Sequence, residues 1–286
     1  MRESRNLGGR CAVNGRVSAG HAPPSSPPAS EELVSAPASI HRSTALLVPR
    51  SLIALFLLLS CARAEPRRLD VLLITLDTFR ADRIGPLTPN LTRLAEDSVR
   101  FMQAQSPVPL TLPAHASILS GALPLHHGLR VNGAGVFPAD QETLATTLSR
   151  AGYRTGAFVG AFVLDRRFGL HRGFDVYDDE IVRDPNVDVT LETERRATVV
   201  VDRALAWLNA QDARPSFAWV HLWDAHAPYA PPAPYDQTYD GEIAYVDAEL
   251  GRLLAAVDRE NTIVVVAADH GESLGEHGEL THAPAR

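Results

Sequence analysis

The stretch Thr262–Gly271, TIVVVAADHG, decides the fold. It is a run of β-branched and small apolar residues, too short for a buried helix. An aspartate, a histidine and a glycine close it at once. This pattern reads as a strand covered on both faces that delivers polar side chains at its carboxyl end. Three further runs share the character: Leu69–Leu76 (LDVLLITL), closed by Asp77, then Arg154–Gly160 and Phe217–Trp223. Helical candidates lie between them at Thr88–Ser98, Ala139–Ala151, Val189–Gln211 and Tyr239–Arg259. In the last of these, Ile243, Val246, Leu250, Leu253, Leu254 and Val257 recur at helical spacing. Strands alternating with helices predict an α/β fold with a mostly parallel sheet and helices on both sides. Ligands of such folds bind beyond the carboxyl ends of the strands.

The chain has 286 residues, 45% of them hydrophobic, and a formal charge of −7. All 27 basic residues are arginine, so no site can use lysine. The acidic balance and the lack of a basic run weigh against a nucleic-acid partner. Both cysteines, Cys11 and Cys61, fall near the amino end, so any metal further along is held by carboxylate and imidazole. Residues 1–47 are rich in Ser, Pro, Ala and Gly without period, and read as disordered or as a spurious extension. Residues 48–64 follow a signal-peptide pattern: Arg50, the apolar run Ser51–Ser60, and a small-residue cleavage site ending at Ala64. LLSC, ending at Cys61, reads alternatively as a lipoprotein signal. Either predicts an exported protein, periplasmic, secreted or lipid-anchored to the envelope, with a catalytic domain over 67–286.

If the strands are parallel, Asp77, Asp269 and His270 reach one sheet edge. Two carboxylates and an imidazole form the outline of a site for a divalent metal, Zn²⁺ or Mn²⁺ before Mg²⁺ or Ca²⁺. In PLTLPAHASILSG, Pro109–Gly121, Pro113 suits the first turn of a helix running through Ala114–Ser120. Thr111 then stands where backbone N–H groups and the helix dipole favour an anion. Two readings follow: a helix cap, or a nucleophile beside the metal.

In order along the chain, VLLITLDTFRADRIG, TPNLTRLAEDSVRF, PLTLPAHASILSGALPLHHGLR, TLATTLSRAGYRTGAFVGAF, HLWDAHAPYAPP, YDGEIAYVDAELGRLL and VVVAADHGESLGEHGELTH resemble the sulfatase family of the alkaline-phosphatase superfamily. The resemblance covers about Leu69 to His282. It implies a three-layer αβα sandwich, a divalent metal, and hydrolysis of sulfate or phosphate esters through a covalent intermediate. By position it makes Asp77, Asp269 and His270 metal ligands and places Thr111 at the nucleophile, its hydroxyl a further ligand of the same metal. It makes His226 a substrate-contacting residue and His282 the cation or general acid at the leaving group. His115, His221 and His277 are expected to bind substrate, with Asp224 a further candidate. His126 and His127 are expected to form a turn lining the pocket.

Departures from the family pattern narrow the chemistry. Family sulfatases oxidise a Cys or Ser to formylglycine, but a secondary alcohol such as that of Thr111 gives a ketone, so no formylglycine is expected. His115 stands where that motif has arginine, and Thr78 where a second aspartate is often found. A threonine nucleophile resembles the superfamily's phosphodiesterases and phosphoethanolamine transferases. The expectation is therefore a hydrolase of an anionic sulfate or phosphate ester, with phosphorus favoured. The alternatives are a transferase acting on an envelope glycan or lipid, and an inactive fragment. The last rests on the short stretch after DHG, where the family's domain continues into a smaller C-terminal subdomain.

Overall fold

The computed structural model describes residues 68–181, 193–210, 212–279 and 281–282. The N-terminal readings, including the signal and Cys61, lie outside the described residues. Five strands form one sheet: β1 (Asp70–Leu76), β2 (Arg154–Val159), β3 (Val176–Asp178), β4 (Ser216–Leu222) and β5 (Thr262–Ala268). Their order is β3-β2-β4-β1-β5, and every pairing is parallel. Among the described residues six α-helices accompany them: α1 (Pro89–Glu96), α2 (Thr111–Ser120), α3 (Pro124–His127), α4 (Leu144–Arg150), α5 (Ala197–Leu208) and α6 (Tyr239–Ala256).

Strand alternation sorts the apolar side chains into two cores. Leu72, Ile74 and Leu76 of β1, with Ala218, Val220 and Leu222 of β4, face α1, α5 and α6. Leu73, Phe217 and Trp219 point the other way, onto Leu112, Ala116 and Leu119 of α2 and Ala145 of α4. Helices therefore cover both faces of the sheet, which is the predicted three-layer αβα sandwich. The register levels the carboxyl ends of the central strands. Leu76 lies opposite both Leu222 and Ala268, so Asp77, Trp223 and Asp269 leave the sheet side by side.

The four expected strands form within a residue at each end. The short β3 was not expected, since three residues carry too little periodicity to stand out. Helix α4 begins at Leu144 and not at Ala139 because Thr143 and Thr146 form a reciprocal capping box that fixes the start. Of the expected Val189–Gln211 helix, residues 189–192 and 211 lie outside the described residues, and α5 begins at Ala197. The expectation that all strands are covered on both faces fails for β5. It is the sheet's edge, paired only to β1, and Ile263 and Val265 on one face remain 48% and 43% exposed. Among the described residues, no helix is long and apolar enough to cross a membrane.

Candidate active site

The levelled strand ends assemble a buried cluster. Asp77 follows β1, while Asp269 and His270 follow β5; all three are at most 5% exposed. Each carboxylate has one oxygen engaged by the protein and one bare. Asp269 Oδ1 accepts the backbone N–H of His270 at 2.8 Å and of Thr78 at 3.2 Å. Thr78 has φ 52°, a left-handed conformation unfavourable for a β-branched residue. That turn aims its N–H at Asp269, and its carbonyl accepts the Tyr239 hydroxyl at 2.8 Å.

Asp77 is held from the other side. The N–H of Gly160 donates to His221 Nδ1 at 3.3 Å, so the His221 proton sits on Nε2 and is donated to Asp77 Oδ2 at 3.2 Å. A side chain at Gly160 would press on the carbonyls of Arg195 and His221, which accounts for glycine there. Burial pushes the His221 pKa down to about 4, consistent with a neutral ring.

What remains bare is Asp77 Oδ1, Asp269 Oδ2 and His270 Nε2, all buried and without a hydrogen-bond partner. His270 Nε2 lies 3.4 Å from Asp269 Oδ2 and 3.9 Å from Asp77 Oδ1. Buried polar atoms are almost always partnered, so three orphans converging on one point fit a missing cation. The ligand atoms lie within 4.8 Å of one another, and two oxygens with one nitrogen suit Zn²⁺ or Mn²⁺. Electrostatics agree. Burial first, then the Asp77 charge, hold the Asp269 carboxyl above its ordinary range. Burial presses His270 down, but Asp269 and Asp77 outweigh it and hold it up.

Thr111 is the first residue of α2, and Leu110 occupies the cap position. The Thr111 hydroxyl is fully buried and has no hydrogen-bond partner, so it caps nothing. Its neighbour His115 joins it to the cluster: Nδ1 lies 2.8 Å from the Thr111 carbonyl and 3.6 Å from Asp269 Oδ2.

The remaining sequence candidates fall into three groups. His115 and His221 are both fully buried with both ring nitrogens engaged, beneath the cluster and not at its mouth. His226 and His282 lie outside it in a stack of rings: His226 on Trp223 at 4.0 Å, His282 on His226 at 4.9 Å and on His270 at 4.5 Å. Asp224 faces elsewhere, accepting the Ala197 N–H at the start of α5 through both oxygens. His127 is buried against Ser117 Oγ at 3.0 Å, and His126 is exposed. The side chain of His277 lies outside the described residues. Three neighbours were not anticipated: Thr75 and Trp219, which read as ordinary strand residues, and Glu272, whose Oε1 lies 3.4 Å from His282 Nδ1. Only Glu272 carried a signal, as a carboxylate directly after DHG.

The parallel αβα sheet, with a carboxylate and imidazole cluster at its strand ends, has the fold of alkaline-phosphatase-superfamily structures. The fold matches a crystallised alkaline-phosphatase-superfamily protein from Vibrio parahaemolyticus (TM-score 0.55, 21% identity, 72% of this chain and 55% of that one). It also matches the phosphonate monoester hydrolase of Agrobacterium radiobacter (TM-score 0.58, 20% identity, 73% and 64%). A third match is a structure solved in complex with its substrate, D-glucosamine-2-N,6-O-disulfate (TM-score 0.60, 19% identity, 76% and 70%). The chain belongs to the sulfatase family, whose model matches residues 70–285. Curated relatives include an ulvan-active sulfatase of Formosa agariphila, 27% identical over 79% of this chain and 57% of the relative. Another is the N-acetylgalactosamine-6-sulfatase of Rattus norvegicus, 26% identical over 82% and 55%. The chain thus spans a little over half the length of these relatives.

Proposed function

We propose that this protein hydrolyses an anionic sulfate or phosphate ester through a covalent intermediate on Thr111, with phosphorus as the preferred centre. One observation carries the reading: the Thr111 hydroxyl is buried, unpartnered and at a helix start, and His115 Nδ1 lies 2.8 Å from the Thr111 carbonyl and 3.6 Å from Asp269 Oδ2 of the cluster. A divalent cation held by Asp77, Asp269 and His270 would supply positive charge that eases loss of the Thr111 hydroxyl proton and stabilises charge on the ester oxygens. The chain's own residues do the rest. Thr111 Oγ bonds to the central sulfur or phosphorus as the bond to the alcohol oxygen breaks, and its proton passes to solvent. The departing oxygen takes a proton from His282 or His226, the half-buried rings at the outer side of the cluster. Water then bonds to the central atom, Thr111 recovers a proton, the acid is released, and the histidine is reprotonated from solvent.

Threonine supports phosphorus because it cannot become the formylglycine on which family sulfatases rely. His115 and His221, wholly buried, act here by holding Thr111 and Asp77 and not by touching substrate. Export, on the pattern of residues 48–64, is part of the same reading. The test uses purified protein with Zn²⁺ or Mn²⁺ on aryl phosphate diester, phosphate monoester and sulfate. The expected outcome is preference for a phosphate ester, loss of roughly a thousandfold or more in Thr111→Ala, and partial activity in Thr111→Ser. Preference for the sulfate overturns the choice of phosphorus, and an active Thr111→Ala overturns the nucleophile. An adduct on Thr111 discharged by an alcohol acceptor but not by water makes the protein a transferase.

A further inference from the structure

Thr75 is a polar residue in the strand β1, where Val71–Ile74 before it and Leu76 after it are apolar, and it is fully buried. Its hydroxyl meets two ring nitrogens: Trp219 Nε1 at 3.0 Å and His115 Nε2 at 2.9 Å. The proton directions are forced. Indole N–H can only donate, so Trp219 donates to Thr75 Oγ1. On the other ring nitrogen of His115, Nδ1 faces the carbonyl of Thr111, which can only accept. Nδ1 therefore carries the proton, Nε2 is bare, and the Thr75 hydroxyl donates to it. Trp219, Thr75, His115 and Thr111 form a single directed chain in which every donor has its acceptor.

We propose that this chain from Trp219 through Thr75 and His115 is the positioning device of the Thr111 nucleophile. It rests on the reading of Thr111 given above. The chain ties the first turn of α2 to β1 and β4 just behind Asp77 and His221, since Thr75 pairs with His221 and Leu73 with Trp219. A displacement of α2 relative to the metal-ligating residues carries Thr111 and His115 together and stretches the His115 Nε2–Thr75 contact that crosses to β1. His115 fills the place where the family motif has arginine. It therefore supplies orientation without charge, and the substrate gains no cation from this position.

The test compares Thr75→Val, which keeps shape and loses the hydroxyl, with Thr75→Ser, which keeps the hydroxyl, and with Trp219→Phe, all in metal-loaded full-length chain. Thr75→Val is expected to slow formation of the Thr111 ester in single turnover by about tenfold to a hundredfold, with KM and metal content unchanged. Thr75→Ser restores the rate, and Trp219→Phe loses less than Thr75→Val. Nitrogen-15 histidine spectra of the wild type are expected to show His115 with its proton on Nδ1 and a bare Nε2. A role in packing alone lowers thermal stability and leaves the rate and its rescue untouched. Wild-type rates in Thr75→Val, where Thr111→Ala is inactive, overturn the proposal while sparing the nucleophile. An active Thr111→Ala overturns the nucleophile and the positioning role with it. A His115 proton on Nε2 overturns the chain irrespective of activity or of whether any variant folds.

Discussion

At the scale of the residue, the cluster is built from half-satisfied groups, and this sets what each substitution does. Asp269 has one oxygen filled by two backbone donors and the other bare. In Asp269→Asn the amide oxygen can keep both backbone bonds, and its NH₂ then points where a ligand oxygen stood. Metal content is expected to fall to near zero while the metal-free protein becomes more stable, because a carboxyl strained by burial and by Asp77 has been neutralised. Elemental analysis and thermal melts in chelator check both halves; equal metal in variant and wild type removes Asp269 from the ligand set. The three metal-ligating candidates were legible in sequence because each follows an apolar strand, where a charged residue is conspicuous. The supporting residues were not. Thr75 looks like any β-former, and its contact with His115 and the tautomer of His221 depend on partners 40 and 61 residues away.

At the scale of the element, the strands were legible because β1, β2 and β4 lie inside the sheet and need apolar side chains on both faces. Helix starts were less so, since a capping box at Thr143 fixes the start of α4 although Ala139–Glu142 before it are compatible with a helix. Close packing of sheet on helix leaves its own mark at Gly156 in β2. A Cβ there would stand 2.8 Å from the ring of Trp207 on α5, whose indole also lies under the Arg154 guanidinium, 3.9 Å from ring centre to guanidinium carbon. Gly156→Ala gains strand propensity but drives the indole off its seat. The expected net effect is destabilisation of about 1–3 kcal/mol, read from the urea midpoint at unchanged m-value. The Gly156→Ala, Trp207→Leu double variant is expected to recover part of the loss, because the clash and its relief share one contact.

At the scale of the whole molecule, buried acids give folding a pH dependence that the metal modifies. Asp224 binds the start of α5, and Glu242 on α6 accepts the Ala230 N–H at 2.7 Å, so together they hold the segment after β4. Burial chiefly pushes both up to about 7, each also raised by neighbouring carboxylates and lowered by its backbone bond and Arg196. Unfolded, they titrate near pH 4. Between pH 4 and 7 these two carboxyls thus hold more protons folded than unfolded, and the stability they contribute falls as pH rises; His115 and His221, pushed down to about 4 by burial, oppose that slope up to their unfolded range near 6.5. In the metal-free state Asp269 and His270, both raised, add the same slope. A cation displaces their protons, so it binds more tightly as pH rises and opposes that part of the slope. Two results are therefore expected from denaturation at pH 5.5 and 8. The melting temperature gained on adding Zn²⁺ or Mn²⁺ is larger at pH 8. Glu242→Gln flattens the pH dependence equally with and without metal, because its carboxyl is outside the cluster. A metal shift independent of pH would mean that the cation is held by groups other than Asp269 and His270. A Glu242→Gln effect that disappears on adding metal would place Glu242 in the cluster's own proton balance.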